Sequence, residues 1–158
     1  MNIFVFDSDG LIKVVHSGIF EKINTKCVIS QQVYEEVVEQ GKRRLYFDAF
    51  QIERWINENK IKVIKVKKKI EIPGLGSGEL STLTLYKEIS GKAIVSDDRR
   101  FLQLLEQEDI PFIIPTGIIV SLFESKRLSK GDALDALSKI KVFVRNEDYE
   151  NAAEIIGG

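Results

Sequence analysis

Residues 2–6 form a short, unbroken apolar run that stops at Asp7. Such a run reads as a strand buried on both faces of a parallel sheet. Residues 26–29 read as a second strand. Ser30 then caps a helix whose apolar positions Val33, Val37 and Val38 recur at helical spacing, with Gly41 ending it. A longer amphipathic helix follows, carrying Phe47, Phe50, Ile52, Trp55 and Ile56, and residues 61–66 alternate as a strand. Pro73 to Gly78 is rich in turn residues, and Gly78-Glu79 opens a helix that runs to about Ile89. Residues 93–95 are the next buried strand, after which Asp97 or Asp98 opens a helix. Residues 112–114 are a strand closed by Pro115. Helices are expected over 117–125 and 129–140, the second capped by Ser129. Val142-Phe143-Val144 reads as an edge strand, and Asn146 caps a final helix.

Strands that alternate with helices predict an α/β fold with a mainly parallel sheet. Ligands of such sheets bind beyond the carboxyl ends of the strands. Asp7 and Asp98 follow strands there, and Glu36 and Glu79 sit on the next helices. The topology thus draws four acids toward one place. Like charges so close raise one another's pKa values, and a divalent cation relieves the repulsion. Carboxylate oxygens are natural ligands for Mg²⁺ or Mn²⁺, and the matching chemistry is metal-assisted attack of water on a phosphate ester.

Composition narrows the classes. The 158 residues fit one domain, 1–158, and 30% charged with 44% hydrophobic residues suits a folded chain, not a disordered one. The formal net charge of −1 announces no nucleic-acid partner, so any such partner must be held by local basic patches. Cys27 is the lone cysteine, which excludes an internal disulfide, and it reads as a small buried hydrophobe. His16 is the lone histidine and excludes zinc chemistry based on several histidines. No apolar stretch approaches the ~20 residues of a membrane span, and the short run before Asp7 is no signal peptide. A cytoplasmic location without membrane contact is expected.

The acids lie in motifs that resemble the PIN-domain family, a nuclease fold that includes VapC-type toxins. Phe6-Asp7-Ser8-Asp9 resembles the family's first motif, and Ser30 with Glu36 the second. Gly78-Glu79 resembles one variant of the third, and Ser96-Asp97-Asp98-Arg99-Arg100-Phe101 the fourth. Pro115-Thr116-Gly117, Leu128-Ser129, Ala133 and Asp148-Tyr149 look like a branch of small prokaryotic members, so the likeness covers nearly the whole chain. It implies a three-layer α/β/α sandwich and a metal-dependent ribonuclease, the toxin of a toxin–antitoxin pair. By that resemblance Asp7, Glu36, Glu79 and Asp98 are the catalytic, metal-holding acids for one or two Mg²⁺ or Mn²⁺ ions. Ser8 and Ser96 hydrogen-bond neighbouring carboxylates or phosphate oxygens. Asp97 adds charge or caps its helix, and Gly76 and Gly78 let the backbone enter the third motif's helix closely. Glu35 points elsewhere, because neighbours on a helix are ~100° apart. The implied partners are RNA, a small antitoxin protein and a second copy of the chain in a homodimer. Asp9 departs from the pattern, since toxin members often carry Asn there.

Each feature also has a plainer reading. Asp7, Asp97 or Asp98 alone is a helix cap, Glu79 suits a helix dipole, and Glu36 alone is a solvated surface acid. Only the set argues for a site. Lys60, Lys62, Lys65, Lys67, Lys68 and Lys69 could attract RNA or simply guard a sheet edge. Lys42-Arg43-Arg44 is a second basic candidate, and Arg99 and Arg100 are better placed to bind phosphate. Trp55 and the nearby phenylalanines read as core or dimer interface. Two other functions stay open. Asp7-Ser8-Asp9-Gly10 also resembles the opening of haloacid dehalogenase-like phosphatases, with Asp7 as nucleophile and Asp9 as general acid. That reading has Leu11 where Thr is usual and leaves Glu36 and Glu79 unexplained. A non-catalytic PIN docking module is the third, and such members typically lose acids from the quartet.

Overall fold

The computed structural model describes residues 2–44, 46–67 and 71–157. Five strands form one sheet: β1 (Ile3–Phe6), β2 (Lys26–Ser30), β3 (Ile61–Ile64), β4 (Ala93–Val95) and β5 (Phe112–Ile113). Their order is β3-β2-β1-β4-β5 and every neighbouring pair is parallel. The chain moves outward from β1 to β3, then crosses back to lay β4 on the other side of β1. That reversal puts the topological switch point between β1 and β4, where an open α/β sheet forms a crevice at its carboxyl edge.

Both faces of the sheet are buried, which is why β1 reads as continuously apolar. Phe4 and Phe6 face one cluster, with Cys27, Ile29, Ile61 and Val95; Ile3 and Val5 face the other, with Val28 and Ile94. The first face is covered by α1 (Ser8–Ser17), α2 (Gln31–Tyr34), α4 (Phe47–Asn57), α7 (Pro115–Glu124), α8 (Lys130–Ile140) and α9 (Asn146–Gly157). The second is covered by α5 (Ser77–Ile89) and α6 (Arg99–Gln107). The fold is thus the expected three-layer α/β/α sandwich, with a sheet that is wholly parallel.

Local chemistry fixes the helix that follows Asp7. The Asp7 carboxylate accepts from the Gly10 N–H, capping α1, and Gly18 ends it at φ 84° with its N–H on Val15 O. Leu11, Val14 and Val15 give it a buried stripe. The hydrophobic pattern alone assigned no element here, since Gly10, Lys13 and His16 interrupt the stripe. The end of the next helix also differs from expectation. Gly41 is helical (φ −63°), not a terminator. From α2 the chain continues through a π segment, Glu35–Gln40, into α3 (Gly41–Arg43). Gly41 is a packing glycine: a Cβ there would stand 2.7 Å from the Ala49 Cβ of α4.

Three further expectations are corrected near the end of the chain. Pro115 starts α7 as its first residue, where a missing N–H costs nothing, and β5 stops two residues earlier. Val142-Phe143-Val144 is not a strand. Its first residues prolong α8 in a turn, with the Phe143 N–H on Ile140 O at 2.9 Å, and Val142 is 83% exposed. Three apolar residues are too few to distinguish a strand from a turn that rests one ring on a neighbour, here Phe143 edge-on to His16. Asn146 is the first residue inside α9 and does not cap it. Trp55 is core, stacked on Phe20, whereas Phe47 is 80% exposed and Phe50 half exposed. Cys27 is buried, which pushes its thiol up to about 12. Among the described residues no helix is long and apolar enough to cross a membrane.

Candidate metal centre

A cleft of about 340 Å³ lies at the switch point, lined by Asp7, Ser8, Asp9, Glu36, Gly76, Ser77, Gly78, Glu79 and Asp98. The four acids of the four motifs therefore meet in one cavity. Each is positioned by a different device. Asp7 leaves β1 and is 3% exposed. One carboxylate oxygen takes the Gly10 N–H at 2.7 Å and the other takes the Ser96 hydroxyl. Asp98 caps α6, accepting the Phe101 N–H at 2.9 Å. The Ser96 oxygen also accepts the Asp98 N–H at 3.1 Å, so one buried hydroxyl joins the first motif to the fourth.

Glu36 lies in the π segment, a local widening of the helix that often marks functional positions. Its carboxylate accepts the Ser8 hydroxyl at 2.5 Å and fills the space a Gly78 Cβ would take. Glu35 is exposed and outside the cleft, as expected. Glu79 is in the first turn of α5, where its carboxyl draws on the Gly76 N–H in the manner of a capping box. A Cβ at Gly78 would displace the Glu36 carboxylate, whereas a Cβ at Gly76 would make only ordinary contact, 3.6 Å from Glu79. A hydroxyl chain ties the second motif to the third: Ser30 donates to Ser81 at 2.7 Å, and Ser81 to Gly78 O at 2.8 Å. Sequence reasoning passed over Ser81. Its only signal is a polar residue on a face of α5 that also holds buried Leu85.

Charge crowding is visible in the acids. Burial pushes the Asp7 carboxyl up to about 7, although Ser96 and Gly10 hydrogen-bond its ionised form and pull it back; Asp9 and Glu79 add to the rise. Glu79 is raised by burial and next by the Asp98 charge, with Glu36 contributing and Arg100 opposing. Arg100 is exposed, its guanidinium 3.3 Å from where a Gly74 Cβ would stand. Arg99 is also exposed, and neither arginine lines the cleft; Arg100 lines a neighbouring cavity with Gly74 and Leu75.

Asp9 and Asp97 play a different part from the quartet. Lys13, which sequence reasoning also missed, sits between them, 2.6 Å from Asp97 and 3.1 Å from Asp9. Burial alone would lower the Lys13 ammonium, but the two acids outweigh it and hold it raised. Asp97 is pushed up by the same burial while Lys13 pulls it back. The short contact between opposite charges decides for an ionised pair.

The other basic candidates are spread out. Lys42 pairs with Glu53 at 2.9 Å and Lys60 with Glu21 and Glu58. Lys62 lines a separate cavity at the amino ends of β1 and β2. Arg43 and Arg44 are exposed. Lys68 and Lys69 lie outside the described residues.

The donor set suits a hard divalent cation in kind: four carboxylates on one cleft, one of them almost fully buried and with no cationic partner among the described residues. As they stand, no three acidic, His or Cys side chains among the described residues are close enough to hold an ion together. Glu36 is turned to Ser8, and Asp7 and Asp98 cap their helices. Each acid retains accepting capacity, because a carboxylate oxygen has two lone pairs. Four carboxylates lining one cleft are the kind and number of donors such an ion takes, so the residues fit the group.

A family model for the PIN domain matches residues 3–157. No curated protein matches the chain significantly. PIN domains are typically nucleases and generally use divalent metals. Because the match takes in all but the first two residues and the last, this chain belongs to the PIN-domain family and has its nuclease fold.

Proposed function

We propose that residues 1–158 are one catalytic domain, a metal-dependent ribonuclease that hydrolyses RNA phosphodiesters, with Asp7, Glu36, Glu79 and Asp98 holding Mg²⁺ or Mn²⁺. The observation that carries this reading is the meeting of those acids in one cleft at the carboxyl ends of β1 and β4. A divalent ion there supplies a Lewis acid for the phosphate and lowers the pKa of water. The protein's own part is to hold the acids in place. Ser96 fixes Asp7 and the backbone of Asp98, and Ser8 fixes Glu36. Arg100, beside Glu79, offers a guanidinium to a phosphate oxygen.

Action as the toxin of a toxin–antitoxin pair follows from the likeness to VapC-type toxins, and with it a small antitoxin partner, a homodimer and a cytoplasmic location. The phosphatase alternative is disfavoured by Asp9, which pairs with Lys13, and by Glu36 and Glu79, for which it has no use. A docking module would not need four acids on one cleft. The test is cleavage of single-stranded and structured RNA with Mg²⁺, with Mn²⁺ and with excess EDTA. Cleavage that needs the metal supports the reading; cleavage at full rate in EDTA overturns it.

A further inference from the structure

Lys13 stands on α1 about one and a half turns beyond Asp7, with its side chain 16% exposed between Asp9 and Asp97. Asp97 is 6% exposed at the side chain and feels the further charge of Asp148 from α9. Two acids within two residues of proposed metal ligands, Asp9 near Asp7 and Asp97 beside Asp98, are thereby bound to a cation. Asp9 lines the cleft and Asp97 does not. The ion pair also fastens the segment between β4 and α6 to α1, and that segment carries Ser96 and Asp98.

We propose that Lys13 is a positioning residue that engages the Asp9 carboxylate at the rim of the acid cleft and the Asp97 carboxylate outside it, and thereby sets the affinity of the cleft for divalent cations. The inference rests on the metal-dependent reading above. Without the ammonium the site gains one net negative charge, and the carboxylates of Asp9 and Asp97 are freed to turn toward a cation in the cleft. A cation would then bind more tightly but on the wrong set of acids.

The experiment is calorimetric titration of the whole chain with Mn²⁺, without RNA. Lys13→Met should bind Mn²⁺ roughly threefold to tenfold more tightly, the scale of one unit charge acting on a divalent ion at ~10 Å near water. Asp97→Asn should bind it more weakly by a similar factor, and Lys13→Arg should match the wild type. The double variant Lys13→Met/Asp97→Asn restores the net charge and should return to within about twofold of wild-type affinity. Its ion pair is removed from both sides, so it folds without a stranded buried charge and, with Asp97→Asn, keeps the test open if Lys13→Met does not fold. Wild-type binding with unchanged or weaker affinity in Lys13→Met, or unchanged affinity in Asp97→Asn, overturns the role of Lys13 alone. No Mn²⁺ binding by the wild type overturns the metal reading and this role with it.

Discussion

The Glu36 carboxylate occupies the space where a side chain on Gly78 would begin. A Cβ there would fall on one carboxylate oxygen and stand 3.1 Å from the carboxyl carbon. The glycine of the third motif is thus set by the acid of the second. Gly78→Ala should push Glu36 off Ser8 and away from the cleft. Because the displaced group is the end of a flexible side chain, the stability cost should be about 1 kcal/mol or less. Misplacement of a catalytic group by about 1 Å can cost up to ~10²-fold, so RNA cleavage should fall at least tenfold. Gly10→Ala is the contrast. Its Cβ would run into the backbone of Val95, 2.8 Å from the carbonyl carbon, which cannot yield. It should lower stability by roughly 1–3 kcal/mol. Thermal melts and cleavage rates on both variants separate the two roles; a Gly78→Ala enzyme at full activity would remove Glu36 from the site.

Asp7 predicts how stability depends on pH. Its carboxyl is raised in the folded chain to about 7 from an ordinary 3.8, mainly by burial. The folded state therefore binds a proton that the unfolded state has released across that window. Stability must fall as pH rises from about 4 to about 7, and level off above. Roughly three pKa units at 1.36 kcal/mol each set a ceiling of ~4 kcal/mol on the metal-free protein. Asp7→Asn should flatten the slope and raise the melting temperature at pH 7.5. Mn²⁺ should stabilise the wild type more at pH 7.5 than at pH 5, because it binds the ionised acid. Equal slopes for the wild type and Asp7→Asn would show that Asp7 is not the group that titrates.

These two acids also mark what the sequence could and could not reveal. Strand–acid junctions were legible because a buried parallel strand is a continuous apolar run and its end is a sharp polarity change, as at Phe6-Asp7 and Val95-Ser96. The order of strands and helices was enough to predict an α/β fold with a mainly parallel sheet, and the third-motif glycine was legible as a motif. Its reason was not, since the contact of Gly78 with Glu36 joins residues 42 apart. The π segment under Glu36 has no distinct period, and Gly41 looks like a terminator until Ala49 is packed against it. Lys13 is hidden for a related cause. Its nearer partner is Asp97, 84 positions away, and pairing at that range leaves no local pattern. Charge spacing on α1 shows only the Asp9–Lys13 half of the device.

The Ser30–Ser81–Gly78 chain predicts a structural effect at the site. Ser30 and Ser81 are 0% and 3% exposed. Ser81→Ala leaves the Ser30 hydroxyl without its acceptor, and a buried unsatisfied polar group costs about 1–3 kcal/mol. The denaturant midpoint should fall accordingly. Replacing both by Ala should cost less than the sum of the single changes, because the hydrogen bond between the two hydroxyls is then lost only once and neither hydroxyl is left without the other. Additive losses would mean that the two hydroxyls act independently.

Asp9 discriminates between the two enzymes that the opening motif resembles. In a nuclease its charge is auxiliary, held on Lys13 at 3.1 Å. Asp9→Asn should then keep substantial RNA cleavage at saturating Mg²⁺, while Asp7→Asn should lose nearly all of it. In a phosphatase Asp9 would protonate the leaving group, a transfer typically worth about 10²–10⁴-fold, so Asp9→Asn would be nearly inert toward a phosphomonoester. Asp and Asn are almost isosteric, and Asp9 is half exposed at the side chain, so folding does not confuse the comparison. Turnover of both variants on RNA and on p-nitrophenyl phosphate gives the answer. Phosphomonoesterase activity lost in Asp9→Asn, together with no RNA cleavage by the wild type, would replace the ribonuclease by the phosphatase.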